Sequence, residues 1–382
     1  MTTKIRLACI AAALVPLTLL AAACSSGSNS NSNSQNSAPM TGPSLPTKPN
    51  TSPASLTETG STLMFPLMGS WATAYQKQFV NSGGDPVVTI TTGGTGSGTG
   101  ITDAATGTVN MGASDAYLSS ANLQQYPGML NIAMAISAQQ INYNLPGVKN
   151  LRLNGSVLAQ IYTGKVTMWN DPAIKSLNPG VSLPAMKIIT LHRAESSGDT
   201  FLFTSYMNAQ AGSKWSAANV NTTVNWPNVP GSLAETGNSG MVAGCQANKG
   251  CIAYIGISYL QKTQAAGLGT ASLANRSGKF LQPTPAAVKA AAAALTSKTP
   301  ANQSLSMING PAPDGYPIVN YEYAIVKKSQ PNSTKAQDIR AFLHWAVHSG
   351  QDQATYLDPV DFQPLPSSVV KQSDNQIAKI GS

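Results

Sequence analysis

One join, used three times, constrains this chain more than any other feature. An extended run breaks into a turn of Gly, Ser and Thr and passes straight into a helix start. It occurs at Thr59-Gly60-Ser61-Thr62-Leu63 before Pro66, at Thr92-Gly-Gly-Thr-Gly-Ser97-Gly-Thr-Gly100 before Ile101, and at Arg193-Ala-Glu-Ser-Ser197-Gly198-Asp199-Thr200 before Phe201. Around these joins β-type runs at 87–92, 130–143, 187–191, 252–257 and 316–326 alternate with helical stretches at 66–79, 100–107, 200–208, 285–295 and 333–349. Leu67, Trp71, Ala74 and Tyr75 share one helical face. Strands alternating with helices predict an α/β fold with largely parallel sheets. At 382 residues, two domains fit better than one.

The N-terminus reads as an address rather than as fold. Lys4 and Arg6 precede an apolar run, 7–20, that Pro16 interrupts, and Ala21, Ala22 and Ala23 lead to Cys24. This is the layout of a secretory signal, too short and too broken for a good membrane span. Its end, Leu20-Ala-Ala-Ala-Cys24, resembles a bacterial lipoprotein signal, with Ala21 where Leu is usual. The expectation is a signal over 1–23, lipidation at Cys24, and a Ser/Asn/Pro-rich disordered tether over 24–55 with a reach of roughly 30 Å. The body should then begin near Leu56. Outside the signal and Cys24, Cys245 and Cys251 remain. In an oxidising compartment they suggest a small-loop disulfide, with a two-Cys metal site as the alternative.

The formal charge of +8 falls to +6 once Lys4 and Arg6 leave with a segment that holds no acid. The basic residues are scattered, without the clustered Lys/Arg and interleaved aromatics of a nucleic-acid surface. The three joins are the better clue to a ligand. Each points unpaired backbone N–H groups and a hydroxyl at the positive end of a helix, which suits an anion. Any one of them would also serve as a simple helix cap. Nucleotides are disfavoured, because Thr99 stands where a dinucleotide loop starting at Gly94 needs Gly, and no P-loop motif occurs.

Four ordered motifs carry a resemblance. Gly60-Ser-Thr-Leu-Met-Phe-Pro66, Gly94-Thr-Gly-Ser-Gly98, Gly112-Ala-Ser-Asp115-Ala and Arg193 to Thr200, followed by Gly315-Tyr-Pro-Ile-Val-Asn-Tyr321 and the two cysteines, resemble the phosphate-binding proteins of Pst-type ABC importers. The chain is most similar to their mycobacterial lipoprotein members, from about Leu56 to the C-terminus. The resemblance implies a two-lobed periplasmic-binding-protein fold (type II) with the ligand between lobes. Lobe one would be 56–140 plus 317–382 and lobe two 141–316, with crossovers near 141–145 and 316–321. It implies that Ser61, Thr62, Leu63 and Ser97 donate to phosphate, that Arg193 meets its oxygens, and that Ser197, Gly198 and Asp199 form the third turn. Many family members carry Thr where Asp199 stands, so this carboxylate needs a proton, Arg193, or a position turned from the ligand. Asp115 would accept a hydrogen bond from a protonated phosphate oxygen and refuse sulfate, which has no proton to offer.

The implied function is high-affinity capture of inorganic phosphate outside the cytoplasm and its delivery to Pst-type permease subunits. The protein would be a lipid-anchored monomer at the outer face of the cell membrane, using no cofactor and catalysing nothing. An exported phosphate-ester hydrolase and a surface adhesin are the alternatives. His344 and His348 fall four apart on a helix like two zinc ligands, but no third ligand stands near them in sequence, so no metal site is expected. His192 reads as positional and Glu195 as a helix-start charge. Trp71, Phe342 and Trp345 read as core.

Overall fold

The computed structural model describes residues 43–382, so the signal over 1–23, Cys24 and the first part of the tether lie outside the described residues. The first half of the fold comprises β1 (Ala54–Gly60), α1 (Phe65–Gln78), β2 (Val88–Thr91), α2 (Ser97–Thr106), β3 (Met111–Ser114), α3 (Ser120–Gln125) and β4 (Met129–Tyr143). Then come β5 (Arg152–Leu153), α4 (Gly155–Tyr162), α5 (Pro172–Lys175), β6 (Ile189–Arg193), α6 (Gly198–Ala211), β7 (Leu233–Glu235), α7 (Gly237–Ala247), β8 (Cys251–Gly256) and α8 (Leu260–Ala265). The chain closes with β9 (Gly269–Thr270), β10 (Ser272–Ala274), β11 (Phe280–Leu281), α9 (Pro285–Ala293), β12 (Val319–Lys327), α10 (Ser333–Val347) and α11 (Ser367–Ile377).

The main sheet has nine strands in the order β2-β1-β3-β12-β4-β8-β6-β7, with β9 beside β4; β11, β10 and β5 form a small second sheet. The expectation of largely parallel sheets holds only at the flanks. There β1 pairs in parallel with β2 and β3, and β6 with β7 and β8. The three middle joins, β3 to β12, β12 to β4 and β4 to β8, are antiparallel. Helical crossovers return the chain in one direction within each flank. β4 and β12 instead run from one part of the sheet toward the other, against their neighbours. β4 is shared: residues up to Ala138 pair with β12, and residues from Gln139 pair with β8. It is buried almost throughout, as a strand covered on both faces must be.

The helices pack as their patterns predict. α1 starts with Pro66 in its first turn and buries Leu67, Met68, Trp71, Ala72 and Tyr75. Tyr75 meets Phe342 and Trp345 edge-on at 5.2 and 5.6 Å, and the Trp71 indole donates to the Gly350 carbonyl at 2.9 Å. Cys245 and Cys251 are disulfide-bonded, tying the end of α7 to the start of β8 and displacing the metal alternative.

The tether ends earlier than its composition suggested. β1 begins at Ala54, two residues before Leu56, and the Ala54 N–H donates to Val87 at 3.0 Å. Upstream, Leu45 packs on the core, and the Asn50 N–H donates to Asp338 on α10 at 2.7 Å. Composition reports what a segment cannot bury by itself, not the partners waiting for its backbone.

Candidate functional site

Each of the three joins follows a strand of the main sheet: β1 and β2 are neighbours, β6 lies in the other flank, and the turns after them meet. The first depends on Gly60, whose φ is +143°, and a Cβ there would lie 2.1 Å from the Ala113 carbonyl oxygen. The chain then turns through Ser61, Thr62 and Leu63 into α1. The Ser61 hydroxyl accepts the Met64 N–H at 2.9 Å and donates to Asp115 through a short contact. The Thr62 hydroxyl oxygen accepts from Arg193 Nη2 at 3.0 Å, and from Asn238 Nδ2 at 2.9 Å and its N–H at 3.2 Å. Three incoming donors leave its own proton free to point elsewhere.

The second join places Ser97 at the start of α2, beside Asp115 at the end of β3. The Asp115 N–H donates to Ser97 Oγ at 3.3 Å, and Ser97 Oγ lies 3.5 Å from Asp115 Oδ2. The third puts Arg193 at the end of β6, which begins and ends two residues later than the extended run at 187–191 suggested. It also packs Gly198 against the other two: a Cβ at 198 would fall 2.5 Å from Asp115 Oδ2 and 2.6 Å from Ser97 Oγ. Only a residue without a side chain allows that approach.

First-turn N–H groups have no intrahelical acceptor. Among the described residues, those of Thr62, Leu63, Ser97, Gly198 and Asp199 find none elsewhere. The buried Ser197 hydroxyl is likewise unpaired. All nine residues singled out from the sequence therefore line or support one buried region. A groove of about 620 Å³, lined by Gly98, Thr99, Tyr117, Ser196, Phe201 and Asn221, adjoins the second and third joins, and none of the nine residues lines it.

Two charged networks face each other here. In the first, burial and then the nearby Asp199 raise the Asp115 pKa to about 7, against smaller opposing effects from Glu322, Ser61 and Arg193. Glu322 on β12 is pushed well above the carboxylate range by burial and by Asp115. It takes Ser137 Oγ at 2.5 Å and Asn320 Nδ2 at 2.9 Å on one oxygen, while its other oxygen has no donor. A proton held by Glu322 and donated to Asp115 satisfies both acids. In the second network Arg193 donates to Asp199 at 2.8 Å through Nη1 and to Glu195 at 2.8 Å through Nε. Burial would lower its pKa, but Asp199 and Glu195 outweigh that and keep the guanidinium charged.

The Asp199 carboxylate is committed to protein partners: Arg193, Asn238 Nδ2 at 2.7 Å and Gln139 Nε2 at 2.9 Å. Of the three outcomes open to it, pairing with Arg193 is the one observed. Glu195 is not a helix-start charge, since α6 begins at Gly198; it braces Arg193 and accepts the Gly237 N–H at 3.1 Å. His192 stacks on Trp226 at 5.2 Å and is turned to the chain beside it. Sequence reasoning missed Glu322, Asn238, Gln139 and Tyr254, whose hydroxyl accepts the Arg193 N–H at 2.9 Å. Of the residues misread or missed, only Glu195 carried a local signal, an acid two residues from an Arg in the same turn.

Comparison with known proteins identifies the family. The sequence matches the PBP superfamily domain over residues 46–349. The phosphate-binding protein PstS of Haemophilus influenzae is 31% identical over 324 residues, covering 84% of this chain and 92% of its own length. PstS of Methanocaldococcus jannaschii is 31% identical over 342 residues (84% and 85%), and PstS 3 of Mycobacterium leprae 28% over 327 (82% and 83%). Among solved structures, the periplasmic phosphate-binding protein PfluDING bound with phosphate superposes with a TM-score of 0.64 at 20% identity, covering 83% of this chain and 92% of that one. The Stenotrophomonas maltophilia phosphate-binding protein also gives 0.64 at 20%, covering 84% and 93%. At those identities the likeness is one of fold, the two-lobed α/β arrangement of periplasmic binding proteins. The chain belongs to the PBP superfamily and, within it, to the PstS family of phosphate-binding proteins.

Proposed function

We propose that this protein binds inorganic phosphate outside the cytoplasm and hands it to a Pst-type ABC importer. The observation that carries the reading is one acid, Asp115, poised near neutral pH among uncommitted donors from three helix starts. Ser61, Thr62, Leu63, Ser97, Ser197, Gly198 and Asp199 supply hydroxyl and backbone donors, and Arg193 supplies the positive field. Asp115 accepts the proton of a phosphate P–OH, with Ser61 and Glu322 holding its carboxylate in place. Sulfate brings no proton, so it meets Asp115 oxygen to oxygen.

The reading keeps two lobes, 56–140 with 317–382 and 141–316; the change of partner along β4 at Ala138 and Gln139, close to the first boundary, supports it. Ligand contacts from both favour the closed state by differential affinity, and that state is what the permease reads. Lipidation at Cys24 and a tether holding a monomer at the membrane rest on the N-terminal sequence pattern. Relatives named as phosphate-binding proteins support a role without catalysis, and no observation favours a hydrolase or an adhesin.

The test is calorimetry with phosphate and sulfate on the wild type and Asp115→Asn. The wild type should bind phosphate stoichiometrically and sulfate hardly at all. The variant should lose about 100-fold or more of that preference. An unchanged ratio would remove Asp115 from the selectivity mechanism.

A further inference from the structure

His344 and His348, which the sequence left without a third partner, gain one from another helix. Asp374 on α11 places Oδ1 at 3.0 Å from His344 Nδ1 and 3.2 Å from His348 Nε2, and Oδ2 at 3.0 Å from the latter. One ligand atom from each of the three residues lies within 4.8 Å of the others. We propose that His344, His348 and Asp374 form a divalent transition-metal site, with zinc the ion that suits it best.

The spacing is right for coordination. Ligands held at 2.0–2.2 Å around a tetrahedral ion stand about 3.4 Å from one another, close to these separations. Two imidazoles and one carboxylate are a donor set that zinc accepts, and three protein ligands leave a position open for water or for a group from a partner. The two ring centres lie 4.2 Å apart, close enough for one ion to draw both nitrogen lone pairs and the carboxylate together.

The site is held by rigid supports. α10 is anchored through buried Ile339, Phe342, Leu343 and Ala346, and α11 through Val369, Ser373 and Ile377. Ser373, next to Asp374, donates to the Ala133 carbonyl at 2.7 Å and accepts from Gln303 at 3.0 Å. That fixes the carboxylate before any metal arrives. His344 and Asp374 keep about a fifth of their side chains exposed and His348 42%, so an ion has a route in. Arg340 and Lys371 stand one helical turn from ligands and should hold the affinity below that of an enclosed structural zinc centre. The site shares no residue with the phosphate-binding region.

The experiment uses the full chain, stripped of metal and kept in phosphate-free buffer. Zinc chloride is titrated by calorimetry, and cobalt(II) by its visible absorption. The wild type should bind one equivalent of zinc and give the intense bands of a low-coordinate cobalt centre. His348→Ala and Asp374→Asn should each weaken zinc binding more than tenfold and abolish those bands. Phosphate binding should be unchanged in both, which reports an intact fold. Because His348 is the most exposed ligand, its variant stays informative even if the Asp374 variant misfolds. No zinc binding by the wild type, or equal binding by His348→Ala, would overturn the site.

Discussion

The two sides of the candidate site solve different electrostatic problems. On the side built by β1, β3 and β12, the charges are removable: Asp115 and Glu322 share protons, and every other contributor is a neutral donor. On the side built by β6 and α6, one guanidinium is held between two carboxylates, Glu195 and Asp199, in ion pairs made by the protein itself. A buried ion network that is complete before ligand arrives gives rigidity and a fixed field, not a strong net attraction. On the proposed reading, selectivity belongs to the Asp115 side, and the Arg193 side sets the frame.

That division can be broken most forcefully at Arg193. Arg193→Ala leaves Glu195 and Asp199 buried without their cation. It should weaken phosphate and sulfate alike on the order of 10³-fold and cost about 3–5 kcal/mol of stability, read by calorimetry and denaturant unfolding. A change in the phosphate-to-sulfate ratio would mean that selectivity is not confined to the opposite side. Asp115→Asn, by contrast, should change the ratio and leave the Arg193 network intact.

A finer cut is Glu322. Glu322→Leu removes the donor that keeps Asp115 ionised, so phosphate affinity at neutral pH should fall about tenfold. Selectivity over sulfate should then fail at a higher pH than in the wild type. Glu322→Gln, which can still donate, should restore most of both.

The smallest effect is on stability. Glu58, raised to about 8 by burial, and Asp115, raised to about 7, hold protons in the folded chain that the unfolded chain releases near pH 4. Between those values the unfolded state binds fewer protons, so stability falls as pH rises. The phosphate-free protein should melt several degrees higher at pH 5 than at pH 8, measured by scanning calorimetry. The opposite slope would mean that these acids are not buried neutral.

What could be read from the sequence was local. The three joins, the helix face of α1 and the small disulfide are each encoded within a dozen residues. Asp115 and Arg193 became legible through motifs resembling known proteins. Glu322 did not, because it sits in a strand that reads as plain β and meets Asp115 only across the sheet, beside a register shift between Glu322 and Tyr323. Asn238 and Gln139 reach Asp199 from other elements with no periodic signature. The antiparallel middle of the sheet and the Asp374 partner of the two histidines escaped for the same reason: the information lies in contacts between distant segments.

The sharing of β4 between two ladders has a mechanical consequence. A hydrogen-bonded strand resists stretching, so the parts on either side of it can twist or bend about its midpoint but cannot slide apart. The pairing changes hands at Ala138 and Gln139, and the Gln139 carbonyl accepts there from the Tyr316 hydroxyl at 2.8 Å. The amide of that same Gln139 grips Asp199 in the third turn. Spine and page are thus stitched together by one residue, and any rotation of the backbone at the spine is felt directly by a turn that would hold the anion.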